Sequence, residues 1–287
     1  MLESDDFVIH PHKYVKRNNP SQKHFIFDLD ETLGSFSDLH VLWRGLHHIN
    51  ETKDISFTGN QFEFNKIMDL FPEFLRYGIL TILEFLKYKK RENKCGKIYI
   101  YTNNQCPPPW VEFIANYIES KKNMKGLFER PICAFKIKNT VLEKTRTTHE
   151  KTMRDFIKCS LLPRNAEICF VDNSYHPKMN SGSIFYIQPK SYYHSLSIND
   201  IIRRLSTSNF IKSYTDEIYR DLETWFSNHV GFSYYNKKTK DEEEIDIAVS
   251  RKLMYTIKEF FYFSMKKSNT KRRFTAKKRH TSKNLQV

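Results

Sequence analysis

The sequence predicts an α/β protein built on a parallel sheet with helices on both faces. Two observations predict it. Short runs rich in Ile, Phe, Tyr and Val alternate with longer stretches of helical periodicity. Three of those runs end in an acid or a hydroxyl residue, the place where open α/β sheets carry their ligands. With 287 residues, the chain has room for one large domain and a smaller appendage. A hydrophobic content of 39% with 15% aromatic residues is enough for a core.

Strands are predicted at 24–29, 97–101, 132–135, 168–171 and 184–187. The clearest helix is 72–90, where Leu75, Ile79, Ile82 and Leu86 recur at intervals of three and four and basic residues gather at the end. A second opens at Pro108-Pro109-Trp110, since proline suits a first helical turn, and turns Val111, Ile114 and Ile118 inward as far as residue 121. A third covers 153–159. Residues 1–22 read as an N-terminal segment and 40–69 as an insertion of mixed character. Residues 196–265 read as a helical extension with helices at 198–205, 214–228 and 248–265, padding the sheet edge. Asp241-Glu242-Glu243-Glu244 reads as a solvated loop.

Four elements carry chemistry. Asp28-Leu29-Asp30-Glu31-Thr32 follows the apolar Phe25-Ile26-Phe27. Carboxylates two residues apart on extended backbone project to one side. One can attack an electrophile while the other moves a proton. Alone, the run is equally a polar strand end. Thr102, with Asn103 and Asn104 behind it, ends the second strand and can donate to an anion, or simply turn the chain. Lys151, ahead of helix 153–159, can neutralise a phosphoryl group. Asp172-Asn173-Ser174 ends the strand Ile168-Cys169-Phe170-Val171.

Strand–acid, strand–hydroxyl, lysine, strand–acid in this order resembles the haloacid dehalogenase-like superfamily of phosphotransferases. Asp28-Leu29-Asp30-Glu31-Thr32-Leu33 together with Val171-Asp172-Asn173-Ser174 is similar to the NIF-like small C-terminal-domain phosphatases. The resemblance covers about residues 23–195. It implies a HAD-like Rossmannoid sheet with a small cap insertion at 40–69. A cap that small leaves the cleft open, which suits a macromolecular substrate. Where relatives carry a short aromatic patch, Gly34-Ser35-Phe36-Ser37 leads here into a longer stretch.

The chemistry has its own requirements. A phosphate ester resists a carboxylate nucleophile until its charge is neutralised. Mg²⁺ binds one or two carboxylates plus waters and substrate, and Asp28, the Asp30 carbonyl, Asp172 and Asn173 supply such oxygens. No comparable His/Cys cluster favours zinc. Asp28 is then the nucleophile and Asp30 the general acid and base, while Thr102, Asn103 and Lys151 hold the phosphoryl oxygens. The leading reading is a Mg²⁺-dependent Ser/Thr phosphoprotein phosphatase acting through an aspartyl-phosphate, with the RNA polymerase II C-terminal repeat as a candidate substrate. The competing readings are a nucleic-acid end phosphatase and a catalytically silent phosphoprotein-binding scaffold.

The formal net charge is +14. Residues 266–287 hold nine of the 47 Lys and Arg and no acid, so the rest of the chain carries 38 basic against 33 acidic residues, a net of +5. Lys271-Arg272-Arg273 and Lys277-Lys278-Arg279 read as nuclear-import or nucleic-acid-binding clusters on a tail too polar to order alone. No apolar run is long enough for a membrane span, and the acidic N-terminus lacks a signal pattern. An intracellular protein of nucleus or cytoplasm is expected. The five cysteines, Cys95, Cys106, Cys133, Cys159 and Cys169, form no C-x-x-C pair and read as free thiols in a reducing compartment. Abundant Lys, Asn, Ile, Phe and Tyr with only 8 Gly fit an AT-rich coding genome, such as that of a parasite or a large DNA virus.

Overall fold

The computed structural model describes residues 2–17, 21–121, 124–208, 210–211, 215–229 and 237–266. Its centre is a five-stranded sheet of β1 (Phe7–Ile9), β3 (Lys23–Phe27), β4 (Cys95–Ile100), β7 (Glu167–Val171) and β8 (Ile184–Pro189). The order is β1-β8-β7-β3-β4. All neighbours are parallel except β1, which runs antiparallel to β8 and closes that edge. The register pairs Phe27 with both Ile100 and Val171. The central strands therefore end level, and the residues after them share one edge.

Period-two alternation splits the strands between two cores. Phe25, Phe27, Ile98, Ile100, Cys169 and Val171 face the larger one. Six helices with buried residues in that core are α1 (Ser37–Lys53), α2 (Gln61–Leu70), α3 (Ile79–Arg91), α4 (Pro108–Ser120), α6 (Ile198–Thr207) and α7 (Asp216–Ser227). The long α8 (Lys240–Phe260) joins them through Val249, Leu253, Ile257 and Phe260. Ile26, Tyr99, Tyr101, Ile168, Phe170 and Tyr186 face the smaller core, closed by Phe156 of α5 (Met153–Ser160). Helices thus cover both faces.

Several elements differ from the sequence reading. Residues 40–53 and 61–69 lie in α1 and α2, whose buried faces, with Leu42, Trp43, Phe64 and Ile67, belong to the main core. Residues 132–135 make no strand. Ile132 alone bridges Tyr101, and the chain turns away after it. The 72–90 helix is broken. A 3-10 turn at Pro72–Phe74 is followed by extended backbone and by Gly78 at φ +70°, and only then does α3 begin. The break has a cause: Arg76 N–H donates to Leu33 O and Ser35 N–H to Phe74 O, so this stretch pairs with the turn after Asp30. The acids 241–244 are not a loop. Asp241, Glu242 and Glu243 lie in the first turn of α8, with Glu244 just after, where a Thr239/Glu242 capping box and the helix dipole favour them. Residues 263–265 leave the helix as β9 (Phe263–Met265), antiparallel to β2 (Tyr14–Lys16). Buried Lys23 ties β9 down, since its ammonium donates to both Glu167 and Phe263 O. A short β5 (Lys136–Ile137) and β6 (Thr140–Val141) form a separate hairpin. The basic tail, apart from Lys266, lies outside the described residues.

Candidate active site

Three strand ends build the site. Asp28 follows β3, Thr102 lies just beyond β4, and Asp172 follows β7. The ladder carries on past each end: Asp28 N–H donates to Val171 O at 2.9 Å, Tyr101 N–H to Phe27 O at 2.9 Å, and Asp172 N–H to Ile187 O at 3.1 Å. Backbone pairing therefore aims both carboxylates from a rigid edge.

Lys151 lies between them. Its ammonium, 2% exposed, donates to Asp28 Oδ1 and, at 2.7 Å, to Asp172 Oδ2. It arrives there because Thr152 caps α5, accepting Asp155 N–H at 3.0 Å. His176 Nε2 stands 3.2 Å from Asp172 Oδ2, and Ser174 N–H donates to Asp172 Oδ1 at 2.8 Å.

The charges are unequal: one ammonium serves two buried carboxylates. Burial raises the Asp28 pKa above the ordinary carboxylate value, against the pull of Lys151. Burial also works to raise Asp172, but Lys151 and His176 outweigh it and hold this carboxyl below its ordinary value. Lys151 would be lowered by burial, yet the two carboxylates raise it. Asp172 is therefore the carboxyl held toward its charged form, and Asp28 is the group whose charge is least compensated.

Asp30 sits in a tight turn in which Leu33 N–H closes on Leu29 O and Glu31 takes φ +53°. Asn104 Nδ2 donates to Asp30 Oδ2 at 2.8 Å. Burial raises the Asp30 pKa more than Asn104 and Lys151 lower it. A half-buried carboxyl with a raised pKa, two residues from a second carboxylate, is suited to proton transfer.

The remaining predicted residues are placed differently. Thr102 is buried, and its hydroxyl accepts Asn104 N–H at 2.9 Å. Asn103 turns its Oδ1 to Arg146 Nη2 at 2.7 Å. Asn173 is expected among the metal oxygens, but its Oδ1 accepts from Thr32 Oγ1 at 2.8 Å and its Nδ2 donates to Ser191 at 3.0 Å. Asn173 N–H also donates to Thr32 Oγ1, at 3.0 Å. This reciprocal pair staples the turn after β3 to the one after β7.

Two buried arginines escape the sequence reading. Arg146 Nη1 donates to Thr102 O at 3.0 Å and Cys133 O at 2.8 Å, and its Nη2 donates to Asn103 and to His149 O. One guanidinium thus fixes both the Thr102 turn and the approach to Lys151. Arg76 Nε donates to Thr32 O at 2.6 Å, and its Nη2 donates to Glu31 O at 2.5 Å and Lys190 O at 2.7 Å. Neither residue has a local motif. The one usable signal lies in His176, four residues after Asp172, and in Asn104 directly behind Asn103.

The donor set can be weighed for a divalent cation. No group of three or more His, Cys, Asp or Glu side chains among the described residues is placed so that it could hold a metal ion by itself. The Asn173 amide is engaged, and Lys151, His176 and Ser174 N–H already take the Asp172 oxygens, so Asp28 Oδ2 and the Asp30 carbonyl are the freer donors and Asp172 would have to be shared with Lys151. Two carboxylates with waters and a substrate oxygen suffice for Mg²⁺, and the uncompensated negative charge favours a cation here. The residues fit the ion.

No family model matches the chain, and no curated protein or solved structure matches it. No helix among the described residues is long and apolar enough to cross a membrane.

Proposed function

We propose that the protein is a Mg²⁺-dependent phosphatase that acts through an aspartyl-phosphate on Asp28, in the manner of haloacid dehalogenase-like enzymes. The observation that carries this reading is the buried group Asp28–Lys151–Asp172 at the strand ends, with Asp30 held two residues on by Asn104.

Lys151 fixes Asp28 Oδ1, which leaves Oδ2 to attack phosphorus in line with the leaving oxygen. As the P–O ester bond breaks, Asp30 gives its proton to the departing alkoxide. Burial, which raises its pKa, works in favour of that proton. Asp30, now a carboxylate, takes a proton from water as the water oxygen attacks the phosphoryl group. Phosphate leaves, and Asp28 returns to a carboxylate. In this reading Lys151 and the Thr102 hydroxyl hold phosphoryl oxygens. Bound to Asp28, Asp172 and the Asp30 carbonyl, Mg²⁺ would supply the charge neutralisation that a phosphate ester needs before an anion can approach.

The substrate proposed is a phosphoserine or phosphothreonine segment of a protein, with repeats of the RNA polymerase II type as the first candidates. Support comes from the Asp28–Thr32 and Asp172–Asn173 motifs and from α1 and α2 packing into the core.

An aryl phosphate tests the reading. Turnover should need Mg²⁺, vanish with a chelator and return on adding Mg²⁺. Full activity in chelator, or rescue by zinc alone, would sink it. Running a phosphoserine repeat peptide beside 5′-phosphorylated oligonucleotides then separates protein from nucleic-acid substrates.

A further inference from the structure

The loop after β4 turns one amide onto the candidate acid. Thr102 N–H donates to Ile132 O at 3.0 Å, and Arg146 holds the Thr102 carbonyl at 3.0 Å, so the loop leaves the sheet edge from a fixed point. Two side-chain turns follow in succession. The Thr102 hydroxyl accepts Asn104 N–H at 2.9 Å, and Asn104 Oδ1 accepts Cys106 N–H at 2.7 Å. Side-chain oxygens that accept from the N–H two residues on close such turns locally. Pro107 and the first residues of α4, Pro108 and Pro109, stiffen the exit, and Trp110, Val111 and Ile114 seat the helix in the main core.

This wiring fixes which way the Asn104 amide faces. Its Oδ1 is engaged on Cys106 N–H, so Nδ2 is the end turned to Asp30, and it donates to Asp30 Oδ2 at 2.8 Å. The neighbouring Asn103 does none of this, since its Oδ1 accepts from Arg146. An N–H donor selects the oxygen that carries no proton. Oδ2 is then the carbonyl oxygen of the neutral acid, and Oδ1 its hydroxyl. When Oδ1 gives up its proton, charge spreads onto Oδ2 and the same hydrogen bond becomes charge-assisted, about twice as strong. An interaction that strengthens as the proton moves lowers the barrier instead of binding the ground state alone.

We propose that Asn104 is the positioning residue of the general acid: held by Cys106 N–H, it keeps the Asp30 proton on Oδ1 and stabilises the carboxylate left behind. The assignment rests on the phosphatase reading. In the step concerned, the bond from Asp28 Oδ2 to phosphorus forms and the ester P–O bond breaks. The leaving oxygen keeps the electron pair and takes the Asp30 Oδ1 proton. Asn104 gives up no proton and acts through Asp30.

A series of phosphate monoesters with leaving groups from nitrophenol to simple alcohols tests this on the full chain with Mg²⁺. Asn104→Asp keeps an oxygen for Cys106 N–H but replaces the donor by a like charge. Asn104→Ser keeps a turn-forming oxygen on a side chain too short to reach Asp30. Both variants should lose on the order of 10²-fold in kcat/KM with alkyl esters and less than about tenfold with nitrophenyl phosphate. Log kcat/KM should therefore fall more steeply with leaving-group basicity in each variant than in the parent, whereas a merely structural loss lowers every ester alike. A parental slope in either variant, with the parental circular dichroism spectrum, would overturn the assignment and leave the phosphatase reading standing. A parent chain that hydrolyses none of the series would end that reading, and the assignment with it.

Discussion

Asp28 and Asp30 differ by two positions and by their hydrogen-bond partners, and that difference sets their roles. Asp28→Asn should abolish turnover, because an amide does not attack phosphorus. Asp30→Asn should lose on the order of 10²–10⁴ in rate with an alkyl ester. With an activated aryl ester, whose leaving group needs little help, it should accumulate phosphoenzyme. Trapping after rapid mixing checks both, and a covalent phosphoenzyme on Asp28→Asn would refute the assignment. Both pKa values are raised, but the two roles need opposite protonation states. Acid removes the Asp28 nucleophile, and alkali removes the Asp30 proton, which predicts a bell-shaped kcat profile. Asp30→Asn should flatten its alkaline limb, and a limb that persists would place that titration elsewhere. Arg146→Lys keeps the charge but not the fork that holds Thr102, Asn103 and Cys133. A loss on the order of 10²-fold in kcat is expected, with a smaller change in KM. The aspartates were legible because strand ends announce themselves by a switch from apolar to acidic residues. Arg146 and Arg76 were not, because their partners are backbone carbonyls distant in sequence, and nothing local marks a residue chosen for its reach.

At the scale of elements, strands were more legible than helices. Apolar runs of five residues with polar ends leave little choice, and β3, β4, β7 and β8 appear within a few residues of the predicted bounds. The 72–90 stretch misleads because Leu75 and Ile79 keep helical spacing across a break imposed by pairing with the turn after Asp30. Asp241-Glu242-Glu243-Glu244 misleads because acids fit both a solvated loop and a helix N-terminus. α1 offers a test of how such acids behave when buried. Asp38, in its first turn, is pushed up to about 6 by burial. A carboxyl raised in the folded state favours folding while protonated, and the advantage is lost as pH rises from the unfolded value through about 6. Asp38→Asn should therefore match the parent near pH 4 and exceed it by about 1–2 kcal/mol at pH 8, after discounting for partial solvation. Denaturant melts at both pH values decide. A variant less stable at pH 8 would mean that the carboxylate is favoured by the helix N-terminus rather than penalised.

The whole molecule joins a five-stranded sheet, two cores and a C-terminal stretch that packs on the main core through α8 and pairs with β2 through β9. Lys266 N–H still donates to Lys13 O at 2.9 Å, so the place to cut is after it. Removing residues 267–287 takes away eight Lys and Arg and should leave aryl phosphate turnover within about twofold. The same truncation should weaken oligonucleotide binding and flatten its dependence on salt. Equal binding by both forms would reduce the tail to a solvated extension, and lost turnover would connect it to the site. All of this rests on one covalent step, and that step can be seen directly. An aspartyl-phosphate is an acyl phosphate, which tritiated borohydride reduces to homoserine. Quenching the full chain with that reagent during turnover of an aryl phosphate, then mapping the labelled peptide, locates the nucleophile. Label is expected at position 28 alone, dependent on Mg²⁺ and absent from Asp28→Asn. Steady turnover with no label, or with label on any other residue, would contradict it.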